Sequence, residues 1–168
     1  MSQINPKKHD CHGFTLVETL VALFILSIAV TGALAVITYN LQSATMIKNT
    51  FIANGLVQEG MEVTRNIRDS DWIQGKPFGS FGASARINDG TYRAQWNDAS
   101  IHRYGYDVLY VDAKGLYNYE TGTPTMFSRG IGITKISETE IKIFVQVSWK
   151  ERNLDKSVSA EEHLFNWY

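Results

Sequence analysis

The segment CHGFTLVETLVALFILSIAVTGALAVITYN, residues 11–40, places one carboxylate, Glu18, at the start of a long apolar run. No charged residue occurs from Thr19 to Ile47. An α-helix needs roughly 20 apolar residues to cross the hydrocarbon core of a membrane, and this run is long enough. Because an unpaired charge is unfavourable in that environment, the position of Glu18 requires an explanation.

A membrane-spanning helix accounts for this run better than a secretory signal peptide does. The run is longer than the typical apolar region of a signal peptide, and no convincing small-residue cleavage site follows it. Lys7 and Lys8 precede the run and favour an N-terminus on the inside. We therefore expect a single span with its N-terminus in the cytoplasm.

The helical pattern continues beyond the apolar run. From Asn40 to Arg68, apolar residues recur at helical spacing and form one stripe. The stripe comprises Ile52, Leu56, Val63 and Ile67, with Val57 and Met61 beside it. We expect one helix ending near Arg68, with residues 14–39 in the membrane and residues 40–69 packed against a domain. Gly55 and Gly60 lower its helix propensity and permit local bending.

The C-terminal region, residues 70–168, shows the two-residue period of β-strands. The segment EIKIFVQVSWK, residues 140–150, alternates strictly and predicts a half-buried strand. ERNLDK predicts a turn and SVSAEEHLFNW the returning strand, while YDVLYVD and LYNYE predict a hairpin around AKG. TYRAQWN and FSRGIGITKI predict further strands, with Gly130 and Gly132 indicating a bulge or an edge. The predicted fold class is α+β, with an antiparallel sheet of four to six strands after a loop at residues 70–90.

Composition excludes several classes of site. Sixteen basic and seventeen acidic residues give a net charge of −1, so no bulk positive field attracts nucleic acid. Cys11 is the only cysteine, so neither an intrachain disulfide nor a cysteine-based metal site can form. The four histidines, His9, His12, His102 and His163, are dispersed along the chain. We predict no metal, no cofactor and no catalytic site.

The residues alone leave three explanations for Glu18. Its side chain reaches water from just inside the interface, it forms a proton or ion site, or it pairs with a cation supplied from elsewhere. The charge-free run contains no second ionisable group that would serve a proton relay. The second explanation is therefore the least favoured of the three.

The sequence GFTLVE followed by a long apolar helix resembles the prepilin signature of type IV pilins and type II secretion pseudopilins. The resemblance implies that a membrane aspartyl peptidase cuts after Gly13 and removes a leader of residues 1–13. It also implies N-methylation of Phe14 and pairing of Glu18 with the Phe14 amine of a neighbouring subunit. The third explanation for Glu18 is thereby favoured.

The resemblance further implies a pilin-like fold and a structural, non-enzymatic role. The implied partners are prepilin peptidase, other pilin or pseudopilin subunits, the inner-membrane assembly platform and the lipid bilayer. The implied location is the inner membrane, and after assembly a pilus or pseudopilus with the C-terminal domain outside the cytoplasm. Ala35 stands where many major pilins have proline, and no C-terminal cysteine pair is present. These departures favour a minor pilin of the PilV kind or a pseudopilin I.

Two alternatives to a structural role remain, an anchored binding module and a single-span anchored enzyme with a convergent polar pocket, and the sequence offers no residues for such a pocket. An anchored binding module would recognise DNA, a surface or a secreted protein, and an aromatic cluster interspersed with arginines is compatible with stacking on single-stranded DNA. The cluster comprises Trp96, Tyr104, Tyr106, Tyr110, Tyr117 and Tyr119, among Arg86, Arg93 and Arg103. Cross-strand packing is the favoured interpretation, and we predict no nucleic-acid site. Asp69, Asp71, Asp112 and Asn118 lack the spacing of a calcium loop and are expected to be turn residues.

Overall fold

The computed structural model describes residues 15–166, which contain one helix and seven strands. The elements are α1 (Leu16–Ile73), β1 (Gly90–Arg93), β2 (His102–Arg103), β3 (Asp107–Val111), β4 (Tyr117–Asn118), β5 (Thr123–Lys135), β6 (Glu140–Glu151) and β7 (Leu154–Phe165). All strand pairs are antiparallel, so the predicted α+β class is confirmed. The chain divides into two compact units, Met1–Thr45 and Met46–Tyr168.

Within the second unit, α1 buries the predicted stripe. Leu56, Val57, Met61 and Ile67 are buried, and Ile52 and Val63 pack partly buried against the core. Small and polar residues on the same face, Asn49, Ala53, Gly60 and Thr64, are buried as well. The periodicity of the large apolar residues therefore predicted the packing face correctly.

The helix ends at Ile73, about one turn after the predicted end near Arg68. Gly75 adopts a left-handed φ of 69°, and the Lys76 N–H donates to the Asp71 carbonyl at 2.9 Å. This is the hydrogen-bond pattern of a glycine-terminated helix. The terminating residue is thus Gly75, and the DSD sequence before it remains helical.

Asp71 connects this helix end to the following loop. Its buried carboxylate accepts hydrogen bonds from the Ser80 hydroxyl at 2.8 Å, the Lys76 ammonium at 2.9 Å and the Gly82 N–H. Burial is the strongest influence and would raise the pKa of Asp71, but these three donors together outweigh it and lower that pKa. Asp71 is therefore a structural, ionised residue.

The strand β5 lies at the centre of the sheet, so the interpretation of its glycines as an edge signal was wrong. One side of β5 pairs with β6, and the other pairs with β1 and β3 in succession. A Cβ on Gly130 would lie 2.7 Å from the Tyr106 ring, and one on Gly132 would contact Phe144. The glycines make room for aromatic rings on the sheet surface. The register shift lies between Val108 and Tyr110 of β3.

The described sheet has seven strands rather than the four to six expected, because it includes strands of only two residues. His102, expected in a loop, lies in β2, which pairs with β1. The predicted β3–β4 and β6–β7 hairpins are confirmed. The second turn is tighter than predicted, since β7 starts at Leu154. Arg152 and Asn153 form this turn, and their φ angles of 51° and 64° are the positive values of a two-residue hairpin turn.

The second unit has one core between α1 and the inner face of the sheet. It contains the alternate residues of β6, Ile141, Ile143, Val145, Val147 and Trp149, as the strand pattern predicted. In β5, Arg129 occupies a core-facing position between Phe127 and Ile131 and is fully buried. Arg129 was not among the residues predicted to lie in the core.

The Arg129 guanidinium joins α1, the sheet and a loop. It donates to the carbonyls of Leu56 and Ala94 at 3.0 and 2.9 Å and to the Tyr119 hydroxyl at 2.9 Å. Glu59 lies 3.3 Å away and balances its charge. Burial raises the pKa of Tyr119, which keeps this hydroxyl neutral.

Replacing Gly55 or Gly60 of the amphipathic helix by alanine should change the free energy of unfolding in opposite directions. A Cβ at Gly55 meets nothing within 4 Å, whereas one at Gly60 would lie 2.9 Å from Val145 Cγ1. We expect Gly55→Ala to raise the free energy of unfolding by about 0.5–1 kcal/mol through helix propensity. Gly60→Ala should lower it by about 1 kcal/mol, because overpacking exceeds that gain. Urea titration of both variants tests this, and changes of the same sign would contradict it.

Candidate functional site

The candidate site lies at the start of α1 and includes Glu18. The predicted cleavage and methylation residues, Gly13 and Phe14, lie outside the described residues. The helix begins at Leu16, and Glu18 lies in its first turn. The described part of the site is therefore Thr15 to Glu18 and the apolar helix that follows.

Thr15 caps this helix. Its Oγ1 accepts a hydrogen bond from the Glu18 N–H at 3.2 Å, and its carbonyl accepts from the Thr19 N–H at 3.1 Å. A threonine followed three residues later by glutamate is the sequence pattern of a capping box, which fixes the first residue of a helix. This role of Thr15 was not predicted, although its spacing to Glu18 is present in the motif.

The helix terminus provides only part of the stabilisation that the Glu18 carboxylate needs. The positive end of the helix dipole stabilises a first-turn carboxylate by about 0.3–1 kcal/mol. A charged side chain deep in a membrane costs about 2.5–3.5 kcal/mol on insertion scales. Among residues 15–166, no cation lies within ion-pair distance of Glu18. The capped first turn is consequently compatible with a cation supplied by another molecule.

The polar side chains of the apolar segment are satisfied within the helix. The hydroxyls of Ser27, Thr31 and Thr38 donate to carbonyls one turn earlier, at 2.7, 2.9 and 2.7 Å. Every residue from 15 to 42 is exposed, including the large apolar ones. A segment with satisfied hydroxyls and exposed apolar side chains is suited to a lipid or helical-partner environment.

One helix among the described residues is long and apolar enough to cross a membrane, as judged by length and composition. It is α1, and its apolar segment lies near the N-terminus. This agrees with the span expected from the sequence. The transmembrane bounds 14–39 and the amphipathic bounds 40–69 remain predictions.

The predicted aromatic cluster is divided between surface and core. Trp96, Tyr104 and Tyr106 are about half exposed, whereas Tyr119 is buried against Arg129. The Arg93 guanidinium lies 4.0 Å from the centre of the Tyr104 ring and pairs with Asp107 at 2.8 Å. Its charge is therefore balanced within the domain. The Tyr104 and Arg93 contacts agree with the packing interpretation.

The aspartates expected in turns are separated by the fold, and Asp69 and Asp71 lie in α1 rather than in a turn. Asp71 makes the helix–loop network, and Asp112 accepts from the backbone N–H groups of Lys114 and Leu116 at 2.8 and 2.9 Å. Asn118 bonds the neighbouring turn backbone, with its Oδ1 accepting from the Thr121 N–H at 2.8 Å. Within residues 15–166, no three His, Cys, Asp or Glu side chains are grouped so as to hold a metal ion.

The comparisons concern the same N-terminal segment. A family model described as the prokaryotic N-terminal methylation motif matches residues 8–34. No curated protein and no solved structure matches the chain. The matched segment includes Gly13, Phe14, the helix cap Thr15, Glu18 and the first half of the apolar run. It agrees with the resemblance drawn from GFTLVE.

The match has consequences for processing and anchoring. The motif implies processing by prepilin peptidase and assembly with other pilin subunits, and it points to a structural subunit. Together with the apolar N-terminal helix, it fits a single-pass inner-membrane anchor. The methylation motif, the long N-terminal helix and the antiparallel sheet that follows support a likeness to type IV pilin-like proteins.

Proposed function

We propose that this protein is a minor pilin or pseudopilin that is cleaved after Gly13 and assembled by helix packing. The observation that carries the proposal is the methylation motif at residues 8–34, continuous with an exposed apolar helix. The new N-terminal residue is Phe14, whose amine is N-methylated. The chain is held in the inner membrane with its N-terminus inside and its C-terminal domain outside the cytoplasm.

Assembly in this proposal depends on Glu18. In the membrane, the isolated subunit has a carboxylate without a counter-ion among residues 15–166. Docking brings the Phe14 ammonium of a neighbouring subunit to that carboxylate, and the resulting ion pair removes the cost of the isolated charge. The exposed apolar side chains of both helices, such as Leu20, Leu23 and Phe24, pack at the same step. The product is a filament of a type IV pilus or a type II secretion pseudopilus.

Processing can be tested by intact mass. Protein purified from its native membrane should lack residues 1–13 and show one additional methyl group on Phe14. A Gly13→Leu variant should keep the full-length mass, because a large side chain replaces the glycine at the peptidase recognition site. A variant with an unrelated leader change, Gln3→Ala, serves as the control and should be processed normally. A full-length, unmethylated mass for the unaltered protein would contradict the proposal.

A further inference from the structure

Within the second unit, the side of α1 that faces away from the sheet carries two large apolar residues. Ile47 and Phe51 are 68% and 79% exposed, and they lie beyond the predicted span of residues 14–39. Exposed residues continue from them at helical spacing. We call this set the outer stripe, and it comprises Ile47, Phe51, Gly55 and Gln58. An apolar surface that its own domain leaves uncovered is characteristic of a contact with another molecule.

The outer stripe contains a glycine that the packing of its own domain does not require. Gly60 is explained by the sheet, since a Cβ there would lie 2.9 Å from Val145 Cγ1. At Gly55, by contrast, no described residue lies within 4 Å of such a Cβ. A glycine inside a helix lowers the stability of that helix relative to alanine, and it permits another group to approach the backbone closely. Gly55 therefore leaves a gap on the exposed surface, one turn after Phe51.

A bulky side chain one turn before a gap is complementary to a second copy of the same helix. We consider two parallel copies of α1 that are displaced along their axes by four residues, or about 6 Å. Phe51 of one copy then lies level with Gly55 of the other copy. At the same displacement, Ile47 of the first copy lies level with Phe51 of the second. Each exposed apolar side chain thus meets either the gap or another apolar side chain, and both are removed from water.

The charges on the exposed side of α1 favour this displacement over an in-register pair. Without displacement, Glu62 faces Glu62 and Arg65 faces Arg65, and such contacts between like charges are repulsive. A displacement of four residues places Arg65 of one copy level with Asp69 of the other, which has the opposite charge. The side chains of Arg65 and Asp69 are 44% and 48% exposed, so both can reach a neighbouring chain. Glu62 then lies level with the uncharged Asn66, so its own charge is not needed for the contact.

We propose that the outer stripe binds a second copy of this chain, with Phe51 of one copy in the gap at Gly55 of the other. The two helices run parallel and are displaced by about one turn. This inference rests on the proposed function, in which subunits assemble in one orientation. It adds to the pairing at Glu18 a contact made by the globular unit. Phe51 and Gly55 together set the displacement between the two copies.

Cysteine cross-linking of the full chain in its native membrane tests the displacement. A Cys11→Ser background removes the only cysteine, so unprocessed chains cannot cross-link through it. Chains with Phe51→Cys and chains with Gly55→Cys carry different tags, are produced together and are oxidised with copper phenanthroline. We expect the mixed 51–55 disulfide to be at least about fivefold more abundant than the 51–51 or 55–55 product, because a disulfide requires Cα atoms within about 7 Å. A 51–51 product as abundant as the mixed one would overturn the proposal.

A second cysteine pair tests whether the helices run parallel. Ile47→Cys and Phe51→Cys chains should also give a mixed disulfide, because the same displacement brings these two positions level. In an antiparallel pair that keeps Phe51 at Gly55, position 47 would lie level with position 59 instead. A 51–55 product without a 47–51 product would therefore contradict the proposal.

Filling the gap tests the role of Gly55. Gly55→Leu should lower incorporation into the sheared filament fraction at least about fivefold, because leucine occupies the space that Phe51 of the other copy needs. The same change should not lower the midpoint of thermal unfolding, since leucine favours a helix and the space around its Cβ is open. Asn54→Leu is the matched control, at an exposed position of α1 outside the outer stripe, and should assemble normally. Normal assembly of the Gly55→Leu variant would contradict the proposal.

The intact mass of the same samples separates this inference from the proposed function. Chains that lose residues 1–13 and enter filaments, but give no mixed disulfide, contradict only the contact at the outer stripe. Chains that keep the leader and form no filaments contradict the proposed function and the contact with it. A disulfide to a different protein, and not to a copy of this chain, would overturn the choice of partner. Because positions 47, 51 and 55 are exposed, the cysteines are not expected to prevent folding.

Discussion

Replacing Glu18 by glutamine should reduce incorporation of the subunit into filaments at least about tenfold while leaving leader removal unchanged. Tenfold corresponds to about 1.4 kcal/mol, and loss of one partner from a buried ion pair commonly costs more than that. Glutamine is nearly isosteric and also suits the third position of a capping box, so the first helical turn should be preserved. The substitution therefore removes the charge and little else.

The measurement compares the sheared filament fraction with the membrane fraction, with intact mass as the readout of processing. Glu62→Gln, on the exposed face of α1, is the matched control and should assemble normally. Normal assembly of the Glu18→Gln variant would show that the carboxylate charge is dispensable. Retention of the leader would instead assign Glu18 to processing.

A Thr15→Ala variant distinguishes pairing from capping. Removing the hydroxyl that accepts from the Glu18 N–H should cost about 1 kcal/mol of helix stability at the terminus. If Glu18 acted only through the capping box, Thr15→Ala and Glu18→Gln would have similar effects on assembly. We expect Thr15→Ala to assemble much better, because it retains the charge.

Replacing Arg129 by methionine should lower the free energy of unfolding of the sheet domain by about 3–5 kcal/mol. Methionine fills a similar volume but donates no hydrogen bond. The substitution leaves the carbonyls of Leu56 and Ala94 without their donor, and it leaves Glu59 without its counter-charge. A typical domain is stable by only about 5–15 kcal/mol, so this single change removes a large share.

Urea titration in mild detergent, followed by tryptophan fluorescence, measures this effect, since Trp149 is buried in the same core. Arg103→Met, at an exposed arginine of β2, is the control and should change stability by less than about 0.5 kcal/mol. Adding Glu59→Gln to Arg129→Met should recover part of the loss by removing the uncompensated charge. A loss below about 1 kcal/mol for Arg129→Met would contradict the assigned role.

The helix was largely predictable because its signals are local, whereas the roles of Gly13, Phe14 and Glu18 remain predictions. The apolar run, the glutamate after GFTLV and the stripe from Ile52 to Ile67 are each contained in a few turns of one helix. The cap at Thr15 was equally local and was readable from its spacing to Glu18. The end of the helix is set by Gly75, which is also a local signal. The polar residues before Gly75 led to a predicted end that was too early.

The centre of the sheet was not predictable in the same way. The order of strands depends on pairings between distant residues, and FSRGIGITK contains glycines that favour an edge when taken alone. In the fold, the Tyr106 ring lies over Gly130 and leaves no room for a larger side chain. This contact joins residues that are distant in sequence. A propensity describes the residue and its neighbours in sequence, so it cannot include a ring from another strand.

The sequence by itself determined the membrane-length helix, its processing motif, its packing face and the alternating strand β6, because each is a periodic or contiguous pattern. Only the tertiary structure decided that Arg129 is a buried link between α1 and the sheet, and that the end of β6 lies beside Asn49. Asn49 and Glu151 are 102 residues apart in sequence. Hydrogen bonds over such separations depend on how the elements pack, and no local pattern of residues records that packing.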